Sequence, residues 1–121
     1  MTIDRFMLTI IGEQWTQKDW IEEQDLINKD KQIDRRNAAR ILHEYMQNEL
    51  DIKDIKDITP AYVLKDLFDC RVCANHIAQV YLRGLMKSVE MGEISMFDLH
   101  GNVTLEEINN IKCKLNGIIN T

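Results

Sequence analysis

Cys70-x-x-Cys73-x-x-His76 is the sharpest chemical grouping in the chain. On one helix, at about 100° per residue, side chains three apart are neighbours, while Cys70 and His76 diverge by about 120°. Zinc needs thiolate or imidazole ligands converging on a tetrahedron, and His100 or Cys113 could supply a fourth. A classical site pairs its Cys-x-x-Cys with a second such pair, and the sequence has none. The spacing also suits thiol redox chemistry, or a Cys–His nucleophile pair from Cys70 or Cys73 with His76. Sequence shows no orienting third group and no oxyanion donors beside it, so no catalytic residue and no cofactor are assigned. Cys73 falls in an apolar stripe, where free cysteine behaves as a small hydrophobe. The reading taken is core cysteines with a satisfied helix histidine. Cys70, Cys73 and His76 stay as metal candidates only.

The elements that would position these residues read as helices. Asp34 is placed to cap a helix over residues 34–49 by accepting a first-turn N–H, with Ile33 and Ala38 as a weak hydrophobic staple. Thr104 and Glu107 have capping-box spacing, and Val103 staples onto Ile108. Trp15-Thr16 with Trp20, and Thr59-Pro60 with Val63, repeat the layout, the latter with Pro at N1. Helices are expected over residues 16–28, 34–49, 60–68, 69–87 and 104–117. Residues 2–11 read as a short helix or an extended arm, and residues 91–101 as a loop anchored by Met96, Phe97 and Leu99. The expectation is an all-α bundle of about five to six helices.

On the helix after Asp34, Ala38, Ala39, Ile41, Leu42, Tyr45 and Met46 share one face. Arg36, Arg40 and His43 lie together opposite it and read as a solvated basic patch. Arg35 is the exception, because it points into the apolar stripe. It must snorkel along that stripe or meet a partner there. In the 69–87 helix, Val72, Cys73, Ile77, Val80, Tyr81, Gly84 and Leu85 form a wide apolar stripe, and Gly84 could mark the helix end. Met46, Met86, Met91 and Met96 read as core filling or an adaptable surface.

Composition sets bounds on the rest. A chain of 121 residues, 45% apolar and 29% charged, is expected to fold as one domain. A net charge of −5 argues against broad contact with nucleic-acid phosphates. No stretch approaches the roughly 20 apolar residues of a membrane span, so no membrane insertion is expected. Residues 1–6 do not resemble a secretory leader, which makes a cytoplasmic protein the expectation, or a cell-surface one if a leader had been removed. Three cysteines are an odd number and read as reduced thiols. A homodimer is left open.

Two halves of the chain resemble repeats of the S-layer homology family. That family pairs a longer helix, ending in a Gly-Ile-like step, with a loop and a second helix opened by a Thr-Arg-Ala-Glu-like motif. In the first half (about residues 13–50), Trp15 or Trp20 through Leu26-Ile27 resembles the long helix. Ile33-Asp34-Arg35-Arg36-Asn37-Ala38-Ala39 resembles the second opening, with Arg35 in the arginine position. Residues 51–58 read as a charged linker, tacked to the core by Ile52 and Ile55. In the second half (about residues 59–117), Val72, Ile77, Val80 and Gly84-Leu85 follow the long-helix spacing. Phe97 resembles the loop aromatic, and Val103-Thr104-Leu105-Glu106-Glu107 the second opening, with Leu105 replacing the arginine. Leu105 is therefore expected to fill with core what Arg35 keeps polar.

The resemblance implies a non-catalytic module that binds secondary cell-wall polysaccharide, with Arg35, Trp15, Trp20, Arg36 and Arg40 as candidate ligand-binding residues. The family's proteins usually carry three repeats and a signal, whereas two repeats are found here. A cytoplasmic protein-interaction domain that has lost the glycan site is the competing expectation. A small metal- or thiol-dependent protein using Cys70, Cys73 and His76 is the third.

Overall fold

The first helix begins where Thr2 accepts the Arg5 amide through its hydroxyl at 3.1 Å. Its next free amides, on Ile3 and Asp4, donate to the carbonyls of Lys31 and Lys29, so the chain start is tied to the approach of a later helix. This computed structural model describes residues 1–119. Five α-helices are present among the described residues: α1 (Ile3–Ile10), α2 (Glu23–Ile27), α3 (Arg35–Asn48), α4 (Ala74–Leu82) and α5 (Leu105–Ile119). Between them run 3-10 turns at Trp15–Gln17, Thr59–Val63, Leu67–Asp69 and Arg71–Cys73. Buried side chains from both halves, including Phe6, Ile41, Leu42, Ile77, Phe97 and Ile111, share one core cluster.

The fold is mostly helical, but it is not the all-α bundle that the helix openings and periodicity suggested. Strands β1 (Val89–Met91) and β2 (Ile94–Met96) form an antiparallel hairpin that overlaps the start of the expected loop, with Val89 opposite Met96. Gly92 takes φ +67° at the first central position of the two-residue turn, the placement a II′ turn requires. A three-residue strand pair is too short for its alternation to stand out in sequence.

Three expected helices are broken by tertiary contacts. Residues 16–28 yield only a 3-10 turn and the short α2, because the two tryptophans are drawn apart. Trp15 is buried and donates to Asp4, while Trp20 packs on Tyr45 and donates to Glu49. Residues 60–68 cannot continue as a helix because the Lys65 amide donates to Ser95 of β2 at 2.9 Å. Residues 69–87 become a 3-10 turn followed by α4, which starts only after Cys73. Val72, expected in the apolar stripe, is 87% exposed. Gly84, at φ +73°, lies two residues beyond the helix, as its reading as a helix end allowed.

The capped starts are the elements the sequence announced best. Asp34 accepts the Asn37 amide at 2.8 Å, and Thr104 accepts that of Glu107 at 3.1 Å. The α3 start is completed from the other half of the chain. The Arg35 and Arg36 amides donate to Gly101 and Leu99 carbonyls at 2.9 and 3.0 Å. That junction places the candidate site.

Candidate functional site

Arg35, at the first position of α3, occupies the positive end of a helix dipole, an unfavourable place for a cation without an acceptor. It is 5% exposed and its guanidinium is met on every side. Nε donates to the Phe97 carbonyl at 2.7 Å, Nη2 to the Lys87 carbonyl at 2.6 Å, and Nη1 to the Glu107 carboxylate. The cation also stands 4.7 Å from the centre of the Phe97 ring. Burial pulls its pKa down, and the nearby carboxylates of Asp98 and Asp66 oppose that shift. Glu107 is spent on this pair, so only half of the expected capping box forms.

The loop that receives Arg35 is itself held by a buried carboxylate. Asp66 is 3% exposed and accepts the Phe97 and Asp98 amides at 2.7 and 2.8 Å. It thereby orients the Phe97 carbonyl toward Arg35.

Above the Arg35–Glu107 pair opens a cleft of about 230 Å³. Lys87 and Ser88 approach it from the segment between α4 and β1, and Thr104, Asn110 and Lys114 from α5 and its start. Lys87 and Lys114 are exposed, and among the described residues neither ammonium lies within 4 Å of a carboxylate. The cleft thus offers two open cations, one exposed carboxylate on Glu106, and a row of hydroxyl and amide groups above a neutralised floor. Sequence reasoning missed every member except Arg35, since they converge from three elements far apart in the chain. The available signal was the Thr104–Glu107 pair, read only as a capping box.

The remaining candidates lie elsewhere. Trp15 and Trp20 do not line the cleft, and Trp15 is 1% exposed. Leu105, expected to fill core, is 64% exposed. The solvated basic patch is instead largely a buried network. Arg40 binds Asp25 at 2.6 Å, Glu22 at 2.8 Å and Glu44 at 3.4 Å. Glu44 is pushed up to about 8 by burial and by sharing a proton with Glu22, whose charge adds to the shift. Burial alone would raise Glu22 as well, but hydrogen bonds from Glu44 and Gln24 and the Arg40 charge hold it below the usual carboxylate range. His43 is 3% exposed and links Asp54, at 2.6 Å from Nε2, to His76, at 2.7 Å from Nδ1. Burial first, then His43 and Arg40, push His76 down to about 4. The charged linker therefore supplies, in Asp54, a hydrogen-bond partner to this chain of rings.

Cys70 and Cys73 are not reduced thiols in the core but a disulfide, their Cα atoms 5.2 Å apart at the entrance to α4. Both are partly exposed. Sulfurs bonded to each other are not thiolate ligands, and His76 is turned to His43 rather than toward a metal position. Cys113 is a free, exposed thiol. A loop this short gains only about 2 kcal/mol from cross-linking in the chain-entropy relation, against roughly 5 for a loop of about 100 residues. The described residues hold no helix long and apolar enough to cross a membrane. Comparison of the chain with family models, with curated proteins and with solved structures returns no match.

Proposed function

We propose that this protein is a non-catalytic binding module that takes an anionic polymer, of the secondary cell-wall polysaccharide class, into the cleft above Arg35. The observation that carries the reading is the pair of unpartnered ammonium groups, Lys87 and Lys114, on one cleft whose floor is already neutral, which against the single exposed carboxylate of Glu106 leaves one positive charge in excess. Such a site attracts negative charge without the cost of separating an existing ion pair. Hydroxyl and amide donors from Ser88, Thr104 and Asn110 suit the hydroxyls of a sugar. The resemblance of the two halves to S-layer homology repeats supports the same ligand class. Arg35 acts from below in this reading, positioning the loop and α5 rather than meeting the ligand alone.

Co-sedimentation with purified cell-wall polysaccharide tests it. The protein should pellet saturably, and Lys87→Glu with Lys114→Glu should abolish pelleting while the fold survives, because both side chains are exposed. Equal pelleting of the charge-reversed variant would reject the cleft as the site.

A protein-interaction domain is the second reading, favoured by a separate observation. Tyr62 and Phe68 meet edge to face at 5.3 Å while each is about half exposed, and Val63 and Val72 are exposed in the same stretch. If that surface carries the function, Phe68→Ser should abolish capture of a partner that the lysine variants still bind.

A further inference from the structure

The Cys70–Cys73 disulfide stands on a second hollow, of about 270 Å³, that shares no lining residue with the Arg35 cleft. Both cysteines, Arg36, Arg40 and Glu22 line it, the Glu22 carboxylate held in its ion pair with Arg40. The two arginines differ in what they have left to offer. Arg40 is committed to Asp25, Glu22 and Glu44, whereas the Arg36 side chain has no carboxylate within 4 Å among the described residues. An accessible disulfide beside an uncommitted guanidinium is a reactive centre with a charge filter. The geometry points to reversible thiol–disulfide exchange at Cys70–Cys73 with a small thiol that carries carboxylates, docked by Arg36.

Cys70 is the sulfur to be attacked, because Cys73 packs against the core cluster and Cys70 does not. Cys73 is the N-cap of the nine-residue α4, where the positive end of the helix dipole stabilises a leaving thiolate. A substrate thiolate attacks Cys70 Sγ, the Sγ–Sγ bond breaks, and Cys73 leaves as thiolate. A second substrate thiolate attacks the substrate sulfur of the mixed disulfide and expels Cys70 thiolate. Two thiols are oxidised to one disulfide, the protein disulfide is reduced, and the two protons released by the substrate end on Cys70 and Cys73. The reverse sequence reduces the disulfide of the same thiol.

The experiment uses the full chain with Cys113→Ser, so that every titrating thiol belongs to the pair. Glutathione, net anionic, is compared with cysteamine, cationic, at equal thiolate concentration, counting alkylated cysteines by mass while circular dichroism follows the fold. The expected result is conversion from no alkylation to two without loss of helix, faster with glutathione. Arg36→Gln should slow the glutathione reaction about two- to fivefold and leave cysteamine unchanged. Added salt should slow glutathione in the parent and not in Arg36→Gln. Free thiols before any reductant is added, resistance to reduction until the chain unfolds, unfolding on reduction, or equal rates for both thiols would each overturn the inference.

Discussion

Arg35 and Glu107 stand 72 positions apart and meet as an ion pair on the floor of the cleft, their side chains 6% and 16% exposed. The first belongs to the opening turn of α3 and the second to that of α5. One contact therefore joins the two helix openings that the sequence presents as copies of a single layout.

Removing one member leaves the other desolvated. Arg35→Ala should cost roughly 3–5 kcal/mol in urea unfolding, because Glu107 and the carbonyls of Phe97 and Lys87 all lose their donor. Arg35→Lys should recover little of it, since an ammonium cannot reach three acceptors in that fork.

Leu105 gives the opposite expectation. It occupies the position matching Arg35 in the second opening but is 64% exposed, so Leu105→Ser should change stability by no more than about 0.5 kcal/mol. A loss above about 2 kcal/mol would mean that it fills core after all.

Glu44 makes stability fall with pH. Its folded pKa, raised to about 8, lies above its ordinary 4.5, so the folded chain binds the extra proton between those values. That contribution is fully present below pH 4.5 and is lost as pH rises to 8. Denaturant midpoints should decline from pH 6.5 to 8, and Glu44→Gln should flatten the decline.

His76 acts with the other sign. Its folded pKa, lowered to about 4 from 6.5, makes the unfolded chain the better proton acceptor between those values. Its contribution is intact above pH 6.5 and is lost as pH falls toward 4, partly against the Glu44 trend. The His76 ring should remain neutral in NMR spectra until about pH 4, and an ordinary midpoint near 6.5 would contradict the buried His43–His76 contact.

How far the sequence could be read follows from the range of each interaction. The Asp34 and Thr104 helix starts were legible because a cap involves residues three apart. That Arg35 was the odd residue was also legible, since it broke the apolar face. Its acceptors were not, because Phe97, Lys87 and Glu107 lie 52 to 72 positions away. The helices expected over residues 16–28 and 60–68 failed for the same reason. Trp15, Trp20 and Lys65 are held by distant groups that outweigh local propensity. His43 looked solvated on the helical wheel until Asp54 and His76 closed over it.

Backbone amide NMR during titration with cell-wall polysaccharide tests the binding cleft most directly. The account predicts saturable shifts at Ser88, Val89, Thr104 and Asn110, abolished by Lys87→Glu with Lys114→Glu. Shifts confined to Tyr62 and Phe68, or no shifts at saturating polysaccharide, would contradict it.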